Sequence, residues 1–304
     1  MLDRRSLIIG TSLLAVAAGS AVAQDWKAKY PELVFAIIPA ENASGVTDRY
    51  APLTDYLAKE LGVKVTLRVA SDYAAVIEGQ KAGHIHLAYH GPASYARAYI
   101  NGVKIEPFAI EVNEDGTKGY HSVFYVKKDS PYQKVEDLKG KNLGLVDPNS
   151  TSGNNVPRFA LSKMGIDPDA FFGKVVFAGS HENAVIALHQ GTVDIAANWW
   201  NDERESALMR MERKGMAKYA DYRIIFKSDL IVNSPFAYLS DLPPELKTKL
   251  RDAFMAFPQK ERAKFDKMFD GKMQPWEPID HKAYEPVVEL IKFVDQLRKK
   301  KSSS

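Results

Sequence analysis

The sequence predicts an α/β chain made of two similar units, and three observations carry that prediction. Short apolar runs alternate with helical patterns, glycine and small polar residues punctuate the junctions, and the alternation occurs twice. In the first unit Leu33–Ile38 reads as a strand, Pro39 to Gly45 as a polar turn, and Tyr50–Leu61 as a helix closed by Gly62 at its C-cap. Val63–Val69 alternates as a strand, Asp72–Lys81 follows as a helix, and Ile85–Tyr89 is a short strand ended by His90-Gly91-Pro92. In the second unit Ser122–Val126, Leu143–Val146, Val175–Phe177 and Asp194–Ala197 read as strands, and Asn183–His189 as a helix. Phe226–Phe236 returns as an extended segment, Ser240 to Glu245 opens a helix with cap, proline and early acid in favourable order, and a last helix spans Pro286–Lys300. Such alternation implies a mainly parallel sheet in each unit, flanked by helices, with ligands beyond the carboxyl ends of the strands. Crossings between the units are expected near Tyr120–Tyr125 and Ile231–Phe236. The first lobe is then discontinuous, residues 24–121 and 235–304, and the second is 122–234.

The N-terminus reads differently from the rest. Arg4 and Arg5 precede an apolar segment, Leu7–Ala18, and Ala21-Val22-Ala23 supplies a small-residue cleavage site, so residues 1–23 are expected to be an export signal cut before Gln24. The paired arginines also fit a twin-arginine signal, although the general secretion route needs no more than these two charges. The 304 residues, 45% of them hydrophobic, are enough for two domains with real cores. The net charge of +3 comes from mixed signs without a long basic block, which argues against nucleic acid as a partner. With no cysteine, disulfides, thiolate metal sites and a lipid anchor on sulfur are excluded. Neither a metal nor a cofactor is expected.

The stretch most suggestive of a site is Val146-Asp147-Pro148-Asn149-Ser150-Thr151-Ser152-Gly153-Asn154-Asn155-Val156-Pro157, between an apolar strand and a helical Arg158–Met164. Three hydroxyls ahead of a glycine, with a proline near the first helical position, suit a helix N-terminus whose first amides have no intrahelical acceptor. The same amides and the hydroxyls of Ser150, Thr151 and Ser152 can cradle a small oxyanion, helped by the helix dipole. Helix capping alone would use the same residues.

Several stretches together resemble the phosphonate-binding periplasmic proteins of ABC importers. They are Ser71–Gly79, Leu87–Tyr95, Asp147–Pro157, Gly179-Ser180-His181-Glu182-Asn183-Ala184 and Gly191-Thr192-Val193-Asp194, in matching order and spacing. The resemblance implies a two-lobed periplasmic binding protein of the type II kind that closes on its ligand about a hinge. It implies an oxyanion held by Ser150, Thr151, Ser152, His181, Tyr73 and Tyr120, and a membrane permease as partner. A monomer in the periplasm is expected, with no catalytic role. The ligand tail is expected to meet His90, Asn198, Trp199, Trp200, Asn201 and Ser234. Asn201 and Ser234 are neutral where binders of amino-bearing phosphonates carry acids, which weighs against an aminoalkyl tail unless Asp202 or Glu203 substitutes. A tryptophan face beside the tail would favour an alkyl or quaternary ammonium group.

Two other readings use the same residues. Inorganic phosphate or phosphite would occupy the same hydroxyl cradle. A phosphoesterase would have to be assembled from Asp147, His181, His121 and Glu182, but no H-E-x-x-H or G-x-S-x-G pattern is present and the histidines are dispersed. His84 and His86 face one side of a strand without a third ligand.

Overall fold

A computed structural model describes residues 25–302, so the expected export signal and its cleavage site lie outside the described residues. After a short helix α1 (Asp25–Lys29), the first lobe runs β1 (Glu32–Ile37), α2 (Ala43–Leu61), β2 (Lys64–Val69), α3 (Tyr73–Lys81), β3 (Leu87–Tyr89), α4 (Pro92–Ile100) and β4 (Ile105–Asn113). Capping sets the helix starts. Asn42 Oδ1 accepts the Gly45 N–H at 2.9 Å, so α2 begins seven residues before the predicted Tyr50, and Asp72 Oδ1 accepts the Ala75 N–H at 2.7 Å at the head of α3. The chain then enters the second lobe with β5 (Gly119–Lys127), β6 (Asn142–Leu145), α5 (Val156–Lys163), α6 (Pro168–Phe171), β7 (Lys174–Phe177), α7 (His181–His189), β8 (Ile195–Asp202), β9 (Glu205–Ser206), α8 (Ala207–Arg213), β10 (Tyr222–Lys227) and β11 (Ile231–Val232). It returns through β12 (Pro235–Leu239), α9 (Pro244–Lys260), α10 (Arg262–Met268), β13 (Met273–Glu277) and α11 (Glu285–Ser302).

Each lobe holds one sheet, and both sheets are mixed. The first has the order β13-β4-β12-β3-β1-β2 and the second β10-β5-β8-β6-β7. The βα alternation accounts for the parallel halves, β2-β1-β3 and β7-β6-β8. In each sheet a strand arriving from the other lobe is inserted antiparallel: β12 between β3 and β4, and β5 between β8 and β10. The neighbouring strands run toward the cleft, so a chain entering from the cleft must run away from it. The two crossings lie side by side, with Gly119 and Tyr120 paired to Val232 and Ile231 in a two-residue ribbon. The last helix packs on α4 of the first lobe and α5 of the second, where Phe293 meets Phe159 edge-on at 5.4 Å.

Strand β1 is buried on both faces, as parallel strands covered by helices are. Leu33, Phe35 and Ile37 join one core and Val34, Ala36 and Ile38 the other. The first core closes on an aromatic group in which Trp276 lies 4.2 Å from Phe254, 5.3 Å from Phe236 and 5.1 Å from Phe265 between ring centroids. Removing the indole leaves a void that rigid rings cannot refill. Trp276→Ala is therefore expected to cost about 3–5 kcal/mol of unfolding free energy, read as a lower urea midpoint with an unchanged slope.

Candidate functional site

The lobes are closed on each other in this structure. Thr151 Oγ1 accepts the Ala93 N–H from across the cleft at 2.8 Å, and the His181 N–H donates to Ala40 O at 3.1 Å. Lys214 Nζ bridges Glu41 at 2.7 Å and Glu182 at 2.6 Å. Between the lobes lies a cavity of about 90 Å³, lined from both sides. One water needs roughly 10–15 Å³ of such volume, so the space suits a tetrahedral anion with a short substituent.

The cradle is local chemistry carried into tertiary position. Ser150 caps the turn by accepting the Gly153 N–H on Oγ at 3.1 Å, and a wide helical turn, Thr151–Asn155, leads into α5. Asn155 Nδ2 donates to Pro148 O at 3.0 Å and to Ser150 O at 2.8 Å, which fixes the turn from inside. Gly153 is required there, because a Cβ would lie 2.4 Å from the Val146 side chain. Ser150, Thr151 and Ser152 all line the cavity and are buried. Three further helix starts converge on the same space: Tyr73 opens α3, Gly91 precedes α4, and His181 opens α7.

Tyr73 and Tyr120 also line the cavity. The Tyr73 hydroxyl is buried and finds no hydrogen-bond partner among the described residues, an orphan donor facing polar space. Burial raises both phenols, Tyr120 to about 12, so both remain donors at neutral pH. Burial lowers His181 to about 4, against the raising effects of Asn198 and Glu41. Its Nδ1 lies 2.8 Å from Asn198 Oδ1 and its Nε2 is 3.5 Å from Ser150 Oγ.

Of the expected tail residues, Trp199, Asn201 and Ser234 line the cavity, but His90, Asn198 and Trp200 do not. His90 is fully buried behind the wall, with Nε2 on Gln80 Oε1 at 2.6 Å and Nδ1 on Ser94 Oγ at 3.2 Å. Asn198 stands behind His181. Trp200 leaves on the opposite side of β8 from Trp199, as the pleat dictates, and packs under Lys227 at 4.6 Å. Asn201 donates to Asn113 Oδ1 at 3.0 Å and joins the lobes. Asp202 caps the amides of Arg204 and Glu205, and Glu203 takes the Tyr219 hydroxyl, so neither acid reaches the cavity. His86 accepts the Val34 N–H at 3.0 Å, a structural role. Among the described residues no cluster of potential metal ligands occurs.

The wall facing the cradle carries Tyr89, from the Leu87–Tyr95 stretch, and residues that no motif announced: Glu41, Arg49, Tyr50, Glu111 and Arg210. Burial would raise Glu41, but Arg49, Arg210 and Lys214 together pull it down to about 2. Glu111 is different. It accepts the Tyr89 hydroxyl at 2.9 Å, has no ion pair among the described residues, and is raised by burial to about 7 in spite of Arg210. Arg210 stacks over Trp199 at 4.7 Å. Burial patterns in β4 and α8 hint only that these positions are inside; which of them share one cavity is decided by lobe closure.

Two α/β lobes closed over a polar cavity are the architecture of a bilobed solute-binding protein. The chain belongs to the family of periplasmic substrate-binding proteins of phosphonate ABC transporters, which it matches over residues 35–284. It is 35% identical over 252 residues to the phosphate-import protein PhnD of Mycolicibacterium smegmatis, covering 80% of this chain and 77% of that one. It is 33% identical over 229 residues to the phosphonates-binding periplasmic protein of Escherichia coli, covering 74% of this chain and 66% of that one. The solved binding-protein component of a phosphonate ABC transporter from Pseudomonas aeruginosa superposes with a TM-score of 0.78 at 29% identity, over 87% of each chain.

The shifted groups set opposite pH slopes in the ligand-free protein. His181, with its native value depressed from 6.5 to about 4, contributes stability present above pH 6.5 and lost as pH falls toward 4. Glu111, raised from 4.5 to about 7, is destabilising as pH rises through that interval. Relative to the parent, His181→Gln should therefore lose less thermal stability between pH 6.5 and 4.5, above the range in which Glu41 titrates, and differential scanning calorimetry across that window reads the difference.

Proposed function

We propose that this protein captures a small organophosphonate in the closed cleft and delivers it to an ABC-type permease, without performing a chemical step. The observation that carries the reading is the Ser150–Ser152 turn with the unpartnered Tyr73 hydroxyl, donors from two lobes aimed at one small cavity. In this reading the phosphonate oxygens sit on Ser150, Thr151, Ser152, Tyr73, Tyr120 and His181, and the substituent points to Tyr50, Tyr89, Trp199 and Glu111. The hinge lies at the Gly119–Tyr120 and Ile231–Val232 ribbon, and the lobes are residues 24–121 with 235–304, and 122–234. Residues 1–23 direct export and are removed after Ala23, leaving a monomeric receptor in the periplasm.

A hydrolase finds little support, because the polar groups it would need are engaged elsewhere. His121 Nδ1 donates to Ser228 O at 2.8 Å, Asp147 Oδ1 accepts the Asn149 N–H at 2.7 Å, and Glu182 binds Asn42 and Lys214. The phosphate reading has one specific support, the name of the Mycolicibacterium smegmatis relative. Against it, the wall beyond the cradle is aromatic and gives an organic substituent something to pack on.

Calorimetric titration with methylphosphonate, ethylphosphonate, 2-aminoethylphosphonate, phosphite and phosphate tests this directly. Tightest binding of a phosphonate is expected, and tightest binding of phosphate would reassign the ligand. Ser150→Ala combined with Thr151→Ala should weaken the preferred ligand at least about 10-fold, since each lost charge-assisted hydrogen bond is worth roughly 1–3 kcal/mol; unchanged affinity would move the oxyanion elsewhere. Glu111 supplies the carboxyl that Asn201 and Ser234 lack, so an amino-bearing tail is admitted. Glu111→Gln should then weaken 2-aminoethylphosphonate about 10-fold while leaving ethylphosphonate within about twofold.

A further inference from the structure

Among the polar groups of the cradle one stands apart as an acceptor, and Asn198 is the reason. Two backbone groups orient its amide: Oδ1 accepts the Trp199 N–H at 3.0 Å, and Nδ2 donates to His181 O at 3.0 Å. Turning the amide over would set donor against donor and acceptor against acceptor. The oxygen thus placed lies 2.8 Å from His181 Nδ1, so Nδ1 carries the ring proton and Nε2 turns its lone pair toward the cavity side, where its partner is the Ser150 hydroxyl, donating over a long 3.5 Å. Ser150 and Thr151 already accept backbone N–H groups from Gly153 and Ala93, which leaves their own hydrogens to donate. With Ser152, Tyr73 and Tyr120 the rest of the cradle is a set of hydroxyl donors.

We infer that His181 Nε2, held as an acceptor by Asn198, demands a proton from the ligand, so that the site takes phosphonates as the singly protonated R–PO₂(OH)⁻ and rejects the isosteric sulfonates. This rests on the phosphonate reading above and deepens it. The P–OH donates to Nε2 while the two other oxygens accept from the hydroxyls. A sulfonate has the same tetrahedral head and the same single charge but no proton, and its third oxygen would face the imidazole lone pair. Nε2 would then keep only its long contact to Ser150, with the third sulfonate oxygen facing it without a hydrogen.

The charged and titratable groups around His181 do not supply that proton. Glu41, from the turn before α2, is held by Arg49, Arg210 and Lys214. Glu182, next to His181, is held by Asn42 and Lys214, and Asp147 in the cradle turn by the Asn149 amide. Burial keeps the phenols of Tyr73 and Tyr120 protonated and disfavours the imidazolium.

The test pairs ligands by calorimetry in buffer free of other oxyanions: methylphosphonate with methanesulfonate, and phosphate with sulfate. Methanesulfonate should bind at least about 100-fold more weakly than methylphosphonate, the scale of rejection when a buried group built to pair is left without its partner. Above the second ionisation of methylphosphonate, its affinity should fall about tenfold per pH unit. Asn198→Asp puts a carboxylate behind Nδ1, favours the imidazolium and turns Nε2 into a donor, so methanesulfonate should gain affinity. If that variant does not fold, His181→Gln, whose amide can present either a donor or an acceptor, should bring the phosphonate-to-sulfonate ratio below about 10. The inference is overturned if methanesulfonate binds the parent protein within about threefold of methylphosphonate, or if methylphosphonate affinity rises through that ionisation. Binding of phosphate without methylphosphonate would overturn the phosphonate reading alone, and the phosphate-to-sulfate ratio would then decide the inference. No binding by any of the four would overturn both.

Discussion

The cleft depends on a directional constraint: parallel strands that end at the cleft are followed by helices that begin there. Tyr73, Gly91, the Ser150 turn and His181 therefore bring helix N-termini to one small space from both lobes. Their partial positive charges repel one another across an empty cleft and are offset by an anion placed between them. In the proposed reading the attraction for a small oxyanion comes from backbone dipoles and neutral hydroxyls. That leaves the full charges free for another task.

That task is holding the lobes together. Glu41, Arg49, Arg210, Lys214, Glu182 and Glu205 form one chain of ion pairs that crosses the cleft beside the cavity. Its members are mostly buried, so breaking a single partner leaves a charge without compensation. The network balances its own signs, and Glu111 stands outside it, its carboxylate bonded among the described residues to the Tyr89 hydroxyl. An unpaired carboxyl in a closed cavity is unfavourable as a charge. It is therefore favoured when it holds a proton or meets a donor, and in the proposed reading this makes the far wall responsive to the substituent in a way that the cradle is not.

The fold also shows how one chain makes two similar lobes without two separate domains. Each sheet accepts one antiparallel strand from the other lobe, the crossings form a short ribbon, and α11 spans the back. Two chain crossings and the packing of α11 on both lobes thus tie the halves together.

The two units and the cradle turn are legible in the chain alone, because both are local. Strand and helix periodicity, Asx and Ser caps, and the Ser150-Thr151-Ser152-Gly153 turn involve residues within a few positions of one another. The family resemblance, carried over by position, named Tyr73, Tyr120 and His181, which do line the cavity, along with Trp199, Asn201 and Ser234. The parity of β8 was harder to assign from a run such as Asn198-Trp199-Trp200-Asn201, which is apolar and polar on both faces. Tertiary packing decides: Asn198 turns to His181 at the head of α7 and Trp200 into the core beside it, and His90 likewise lies behind the wall. The opposite wall was invisible for a stronger reason. Glu41, Glu111 and Arg210 lie far apart in the chain on elements with no shared motif, and they meet because two lobes close. Pattern along a chain reports local hydrogen bonding and burial, whereas a charge environment made by long-range contacts exists only once tertiary structure has brought its members together.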